Sequence, residues 1–318
     1  MQKNSVNTSP FKKRDTKSMA EAKFFDLEIK YKISSGAFGD IYFAIHPETK
    51  KEYAIKIEKG AGDGQLRAEY CVYRKLEKCN MAFIPKIYSF ESVSLDGRPT
   101  HALVMDALGM SLEHLFVKCG RKFSLKTVLM LADLMITRIE FLHYKHHIHR
   151  DIKPDNFVFG GKKSQDNKLY LIDFGLAKSF RSKDTGNHIP CKTGKPMIGT
   201  ARYASLNTHE GLEQGRRDDM ESLMYCLIYF LKGKLPWQGL PGSSKYVKFK
   251  NIYNKKKSTK IEDLCAGLDP VFYDLLFQIR NLDFYEPPNY LKMRKSIEMA
   301  MKRNRIKPDY AFDWKKDN

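Results

Sequence analysis

Eight consecutive residues, His149-Arg150-Asp151-Ile152-Lys153-Pro154-Asp155-Asn156, concentrate the side chains best suited to group transfer. Asp151 can orient an attacking hydroxyl and accept its proton, while Asn156, five positions later, can hold a metal ion beside phosphate oxygens. Lys153 adds a cation near the group being moved. Seventeen residues past Asn156 comes Asp173-Phe174-Gly175, preceded by the apolar run Leu169-Tyr170-Leu171-Ile172. A strand that delivers a carboxylate into a glycine-ended turn suits a Mg²⁺ ligand bridging phosphate oxygens.

Upstream, Lys56 closes the run Tyr53-Ala54-Ile55-Lys56, and Glu69 follows thirteen residues later. Burying either charge alone is costly, so a lysine on a strand and a glutamate on the apolar stripe of a helix make sense as partners, with Lys56 aimed at the α- and β-phosphates. Ahead of both lies Ile33-Ser34-Ser35-Gly36-Ala37-Phe38-Gly39-Asp40-Ile41. Gly36 and Gly39 let backbone N–H groups approach phosphate oxygens without a side chain in the way. His143, His146, His147 and His149 have no cysteine or carboxylate partners at ligand spacing. They read as a helix end plus a loop histidine rather than a metal cluster.

These groups need elements to hold them. Short β-like runs occupy 24–59, with apolar residues alternating as Ile41, Phe43, Ile45 and then Tyr53, Ile55, Ile57, leaving Lys56 on the opposite face from the second trio. A break at Gly60, Gly62 and Gly64 leads into a predicted helix whose Leu66, Val72, Tyr73 and Leu76 share a stripe with Glu69. Past a further β-like stretch at 101–105 the pattern turns helical, with Ser124 as N-cap of a long helix faced by Val128, Leu131, Met135 and Leu142. Trp237 reads as core. The expectation is an α+β fold: a small β-rich lobe with one main helix (24–108), then a larger, mostly helical lobe (109–314). A basic arm at 1–23, carrying Lys12-Lys13-Arg14, is expected to be disordered, and 315–318 form a short end.

The 318 residues, 42% hydrophobic and 12% aromatic, supply a core without external staples. Six scattered cysteines with no Cys-x-x-Cys pair read as reduced thiols of an intracellular protein, in the cytoplasm with the nucleus open as a second compartment. The sequence carries no signal pattern, myristoylation glycine or prenylation box, and its most apolar run, 223–231, falls far short of the roughly 20 residues a bilayer span needs. The net charge of +19 draws polyanions, whether nucleic acid, anionic membrane or acidic protein.

The 149–156 run and Asp173-Phe174-Gly175 match the catalytic loop and metal-binding turn of protein kinases, and Lys153, two positions after the aspartate, is what Ser/Thr-specific members show. Where most kinases end the activation segment in Ala-Pro-Glu, this chain reads Gly199-Thr200-Ala201-Arg202-Tyr203-Ala204-Ser205-Leu206-Asn207. That replacement resembles the casein kinase 1 family. Gln214-Gly215-Arg216-Arg217-Asp218-Asp219, Leu235-Pro236-Trp237-Gln238-Gly239 and Tyr310-Ala311-Phe312-Asp313-Trp314 extend the resemblance over 24–314. It implies a bilobal kinase fold, ATP and Mg²⁺ as co-substrate and cofactor, and protein substrates that are acidic or phosphorylated N-terminal to the target hydroxyl. By the same resemblance, Ile33, Gly36, Gly39, Ile41, Ala54, Lys56, Glu69, Met105, Asp106, Leu108 and Asp173 would serve the nucleotide. Met105 would be the gatekeeper and 106–108 the hinge, Asn156 and Asp173 the metal ligands, and Arg202 and Lys248 the substrate anion pocket. Arg216 and Arg217 either extend that field or pair with Asp218 or Asp219.

Ser34 departs from the pattern by replacing the first loop glycine, Met224 stands where relatives carry glycine, and 241–246 differs from the basic stretch of many relatives. With no tail after Trp314, the expected protein is a monomer, active without tail removal and without a membrane anchor or a specific nucleic-acid partner. Ser179, Ser182, Thr185 and Thr193 can be phosphorylated, though nothing in the sequence requires it. Two competing readings remain at this level. A scaffold without transferase activity is disfavoured by the presence of Lys56, Glu69, Asp151, Asn156 and Asp173; a nucleic-acid binder is disfavoured by the lack of a zinc-finger, RNP-type or basic-zipper motif.

Overall fold

The computed structural model describes residues 26–36, 39–59, 64–78, 83–95, 98–161 and 168–315. The basic arm with Lys12-Lys13-Arg14, loop residues Ala37 and Phe38, Gly60, Gly62, Cys79 and residues 316–318 lie outside them. The chain divides into two compact units, one of residues up to Cys71 together with Lys86–Ala107, the other of Val72–Pro85 together with everything from Leu108.

The first unit is built on an antiparallel sheet of β1 (Glu28–Ser35), β2 (Gly39–Ile45), β3 (Glu52–Glu58), β4 (Ile87–Leu95) and β5 (Arg98–Asp106), ordered β1-β2-β3-β5-β4. Directly opposed residues of antiparallel strands share a face. Register pairs Tyr42 with Ile55 and Val104 with Ile55 in turn, so Tyr42, Ala44, Ile55, Ile57, Ala102 and Val104 form the buried core face. The β2 residues in the core are Tyr42 and Ala44, because register aligns Ile41 with Lys56 rather than with Ile55 and so puts the alternating trio Ile41, Phe43 and Ile45 on the face of Lys56. A one-residue shift in assignment inverts a strand's faces. Helix α1 (Gln65–Glu77), which the division crosses after Cys71, buries Leu66, Val72, Tyr73, Leu76 and Glu69 as its spacing predicts.

The second unit is mostly helical. It contains α2 (Leu112–Lys118), α3 (Leu125–Tyr144), the short strands β6 (His147–Ile148), β7 (Phe157–Phe159), β8 (Leu169–Leu171) and β9 (Lys178–Ser179), and then α4 (Leu206–His209) and α5 (Arg216–Lys232). The helices α6 (Lys245–Ser258), α7 (Ile261–Cys265), α8 (Pro270–Arg280) and α9 (Tyr290–Arg303) complete it. Ser124 caps α3 by accepting the Thr127 N–H at 3.2 Å. Both α5 and α9 pack on α3, so its burial spreads beyond the single stripe expected from Val128, Leu131, Met135 and Leu142 to include Leu129, Met130 and Ile136. Helix α5 is buried from Asp218 to Phe230, with Met224 and, nearby, Trp237 in the core. Near the C-terminus, Asp313 accepts the backbone N–H (2.6 Å) and hydroxyl (2.8 Å) of Ser124, while Phe312 stacks on Trp314. Among the described residues, no helix is long and apolar enough to cross a membrane.

Candidate active site

In the strand-rich unit, β3 pairs Lys56 with Ile41 on β2 and with Leu103 on β5, and pairs Ala54 with Phe43 and Met105. Ile41, Ala54, Lys56 and Met105 therefore lie on one sheet face, opposite the core. Lys56 Nζ meets Glu69 Oε2 at 2.6 Å, with the two residues 7% and 1% exposed. Each charge offsets the other's loss of water, and removing either would take that compensation from its partner. Helix α1 has no acid in its first turn, but the Glu58 carboxylate at the end of β3 accepts the Leu66 N–H at 3.1 Å. An anion there satisfies an orphan donor and complements the helix dipole, fixing the element that carries Glu69. Asp106 uses its side chain structurally, accepting the Lys86 N–H at 2.9 Å and the Tyr88 hydroxyl at 2.7 Å. Gly39 could not be replaced, since a Cβ there would lie 2.5 Å from the Ile57 carbonyl oxygen. Ile33 is exposed at an irregularity in β1, and Leu108 opens the second unit.

In the helical unit the catalytic loop is gripped from below by Asp219 near the start of α5. Its carboxylate accepts the backbone N–H of His149 at 2.7 Å, that of Arg150 at 2.8 Å and the Nε2–H of His143 at 2.9 Å. Burial alone would raise the Asp219 pKa, but His143 and His149 hold it below the ordinary carboxylate value. Burial keeps the His143 imidazole neutral against the pull of Asp219, and its Nδ1 accepts from the Tyr290 hydroxyl at 2.7 Å. Arg150 is thereby held at φ +67°, a left-handed conformation an arginine seldom adopts. His149 accepts the Asp151 N–H on Nδ1 (3.3 Å) and donates from Nε2 to the Ile172 carbonyl (3.0 Å), which assigns its tautomer.

Asp151 itself is buried and held on three sides. Thr200 donates its hydroxyl to Oδ1 at 2.8 Å, Lys153 donates to Oδ2 at 2.6 Å, and Asn156 Nδ2 donates to the backbone carbonyl at 2.9 Å. Burial would depress the Lys153 ammonium, but Asp151, Asp173 and Asp155 more than offset it and keep Lys153 above its ordinary value, fully charged. Gly199 makes the approach of Thr200 possible: at φ +86°, a Cβ would lie 2.4 Å from the Arg150 carbonyl oxygen.

Strands β7 and β8 pair Phe157 with Leu171, and the Ile172 N–H donates to the Asn156 carbonyl at 3.0 Å. Asn156 and Asp173 thus leave adjacent points of one small ladder. Asp173 adopts φ +67°, its N–H donates to the Tyr73 hydroxyl at 3.2 Å, and Phe174 packs against Tyr73 and His149. An amide oxygen and a carboxylate are hard donors of the kind Mg²⁺ prefers, and two protein ligands leave coordination positions for phosphate oxygens and water. Among the described residues no cluster of three or more His, Cys, Asp or Glu is placed to hold a metal ion.

The segment after Thr200 carries the candidate anion pocket. Arg202 packs over the Tyr203 and Tyr229 rings, and its backbone carbonyl accepts from Trp237 Nε1 at 2.7 Å. Lys248 stands exposed on α6, which packs on α4. From α6, Lys256 is 0% exposed and donates to the Ala201 (3.1 Å) and Ala204 (2.5 Å) carbonyls and to His209 Nε2 (3.3 Å), over the rings of Tyr225 and Trp237. Ser205 and Asn207 donate to the buried Asp218 at 2.6 and 3.1 Å, and the Gly215 N–H does so at 2.7 Å. These donors give the Ser-Leu-Asn replacement its physical role. Arg216 and Arg217 pair with neither Asp218 nor Asp219; they donate to the Tyr285 and Leu282 carbonyls. Glu213 accepts from Lys178 at 2.8 Å and pairs with Lys195 at 3.2 Å, tying two points of the activation segment to one carboxylate. Sequence reasoning missed Glu58, Thr200, Lys256 and the shared grip of Asp219, whose partners, apart from the nearby Leu66 of Glu58, lie far off in sequence; only their polar character in apolar surroundings marked them.

Residues 27–289 match the protein kinase domain family. The chain is 45% identical over 289 residues to a probable casein kinase I homolog of Encephalitozoon cuniculi (strain GB-M1), an alignment covering 91% of this chain and 93% of that protein. The catalytic loop, the metal-binding turn, the Ser-Leu-Asn segment and these similarities lead to one conclusion: the chain belongs to the casein kinase 1 family of Ser/Thr protein kinases.

Proposed function

We propose that the enzyme transfers the γ-phosphoryl group of ATP, as its Mg²⁺ complex, to serine or threonine hydroxyls of proteins with acidic or phosphorylated residues N-terminal to the target. The observation that carries this reading is the Asp151 carboxylate, oriented by Thr200 and Lys153 on a loop bonded to Asp219. Asp151 orients the substrate hydroxyl and takes its proton as the new O–P bond forms and the bond from the γ-phosphorus to the β-bridging oxygen breaks, releasing ADP. Lys153 stabilises the charge that builds on the transferred group. Lys56, aligned by Glu69, binds the α- and β-phosphates; Gly36 and Gly39 bring backbone N–H groups to them. Ile33, Ile41, Ala54 and Met105 receive the adenine, with the backbone of Asp106 and Leu108 as its hydrogen-bonding edge. Asn156 and Asp173 would hold Mg²⁺, which would supply positive charge to the phosphate oxygens. Arg202 and Lys248 receive the substrate's anion through charge-assisted hydrogen bonds.

Radiolabelled phosphate transfer to an acidic protein, comparing wild type with Asp151→Asn, tests the chemistry; equal rates would mean a scaffold. Alanine at Arg202 and Lys248 should raise KM for a phosphoserine-primed peptide more than for an unprimed one. Equal effects on the two peptides would remove the anion-pocket assignment.

A further inference from the structure

Ser34 takes away one glycine from the phosphate-cradling loop, yet the structure provides a brace beside it that the kinase motifs do not include. Lys59 follows the last residue of β3 and reaches back over β2 toward β1. Its ammonium meets Asp40 Oδ1 at 2.8 Å and donates to Ser35 Oγ at 2.7 Å and to the Gly36 carbonyl at 3.0 Å. Two hydrogen bonds and one ion pair thus converge on a single ammonium. Asp40 stands directly opposite Ser35 in the β1–β2 register, and its second oxygen meets Lys32 Nζ at 2.7 Å. Burial would raise the Asp40 pKa, but Lys32, Lys59 and Ser35 hold it below its ordinary value, so the carboxylate is charged at neutral pH. The Gly36 N–H closes the loop onto the Gly39 carbonyl at 2.9 Å. One cation therefore ties the ascending arm of the loop to its descending arm and to the strand that carries Lys56.

We propose that Lys59 is a positioning residue for nucleotide binding: a strap that joins the two described arms of the glycine-rich loop, Ser35-Gly36 on one side and Asp40 on the other, before ATP arrives. Gly36 and Gly39 give the loop many conformations, and a loop ordered in advance loses less entropy on binding. The inference rests on the Mg²⁺·ATP reading above. Lys59 touches the loop, not the reacting atoms, so its removal acts on nucleotide affinity and leaves the chemical step alone.

The test measures binding of a non-hydrolysable ATP analogue with Mg²⁺ by calorimetry, and KM and kcat for ATP, in wild type, Lys59→Met, Lys59→Arg, Ser35→Ala and the Lys59→Met/Ser35→Ala double variant. Lys59→Met should weaken analogue binding and raise KM for ATP about three- to tenfold, with kcat at saturating ATP within about twofold and peptide KM unchanged. Lys59→Arg should restore most of the loss. The double variant should bind no more weakly than Lys59→Met, because both changes cut the same strap. Additive losses would mean that Lys59 acts on the nucleotide directly and would overturn the proposal, as would a Lys59→Met protein with lowered Tm but unaltered analogue binding. Failure of the wild-type chain to bind the analogue would instead bring down the ATP reading, and the strap with it.

Discussion

Thr200 gives its hydroxyl hydrogen to Asp151 Oδ1 across 2.8 Å, linking the end of the activation segment to the carboxylate proposed to receive the substrate's proton. The contact exists because Gly199 turns at φ +86° against the Arg150 carbonyl. Thr200→Val keeps the shape and removes the donor, and is expected to lower kcat about tenfold with KM for ATP unchanged, while Thr200→Ser retains most activity. Steady-state kinetics of both variants decide it; a Thr200→Val enzyme as fast as wild type would show that Lys153 alone orients Asp151.

Lys56 and Glu69 stand or fall together. Lys56→Met leaves a buried carboxylate without its cation, so both stability and activity should drop, the first by about 3 kcal/mol and the second by at least about a hundredfold. The Lys56→Met/Glu69→Leu pair should regain much of the stability and none of the activity. Urea unfolding alongside transfer assays separates these effects; recovered activity in the double variant would contradict the role given to Lys56.

Lys256 makes stability depend on pH. Burial pulls its ammonium down from 10.5 to about 7 in the folded protein. The groups facing it are the Ala201 and Ala204 carbonyls, His209, Tyr225 and Trp237, with Glu221 and Arg280 acting on its charge. Between those two values the unfolded chain binds more protons than the folded one, so this group's contribution to stability grows as pH rises from about 7 toward 10.5 and is lost as pH falls through about 7. Asp218 acts in a separate window: burial lifts its carboxyl to about 6, and the stability it contributes is lost as pH rises from 3.8 through that value. The difference in Tm between wild type and Lys256→Met should shift in favour of wild type from pH 7 to 9.5. A flat difference would assign the amine no titration in that range.

Asp219 is expected to matter more for the loop than for any ligand. Asp219→Asn weakens charge-assisted bonds to two backbone N–H groups and to His143, so kcat should fall by about two orders of magnitude with little change in KM for ATP. Comparable losses in kcat and in nucleotide affinity would point to general unfolding instead.

The candidate site was legible in the sequence wherever residue types sit at fixed spacing along one segment, as in 149–156 and 173–175, or where a charge interrupts an apolar pattern, as at the Lys56–Glu69 pair. The face of β2 was not, because Ile41 and Phe43 look as suitable for a core as Tyr42 and Ala44 until register with β3 selects between them. Arg216 and Arg217 adjoin two aspartates in sequence, yet on α5 they point to the backbone at 282–285 while Asp218 and Asp219 turn inward. Helical direction decided their partners, and adjacency carried no information about it.

The grip of Asp219 also bears on motion. Residues 149 and 150 belong to a connecting segment, a class of backbone that usually exposes its amides to solvent through small local openings. Here both amides end on a carboxylate belonging to the most deeply enclosed helix of the unit, so releasing them requires disturbing that helix. Their deuterium uptake should accordingly be as slow as that of α5 itself, making the catalytic segment kinetically part of the interior.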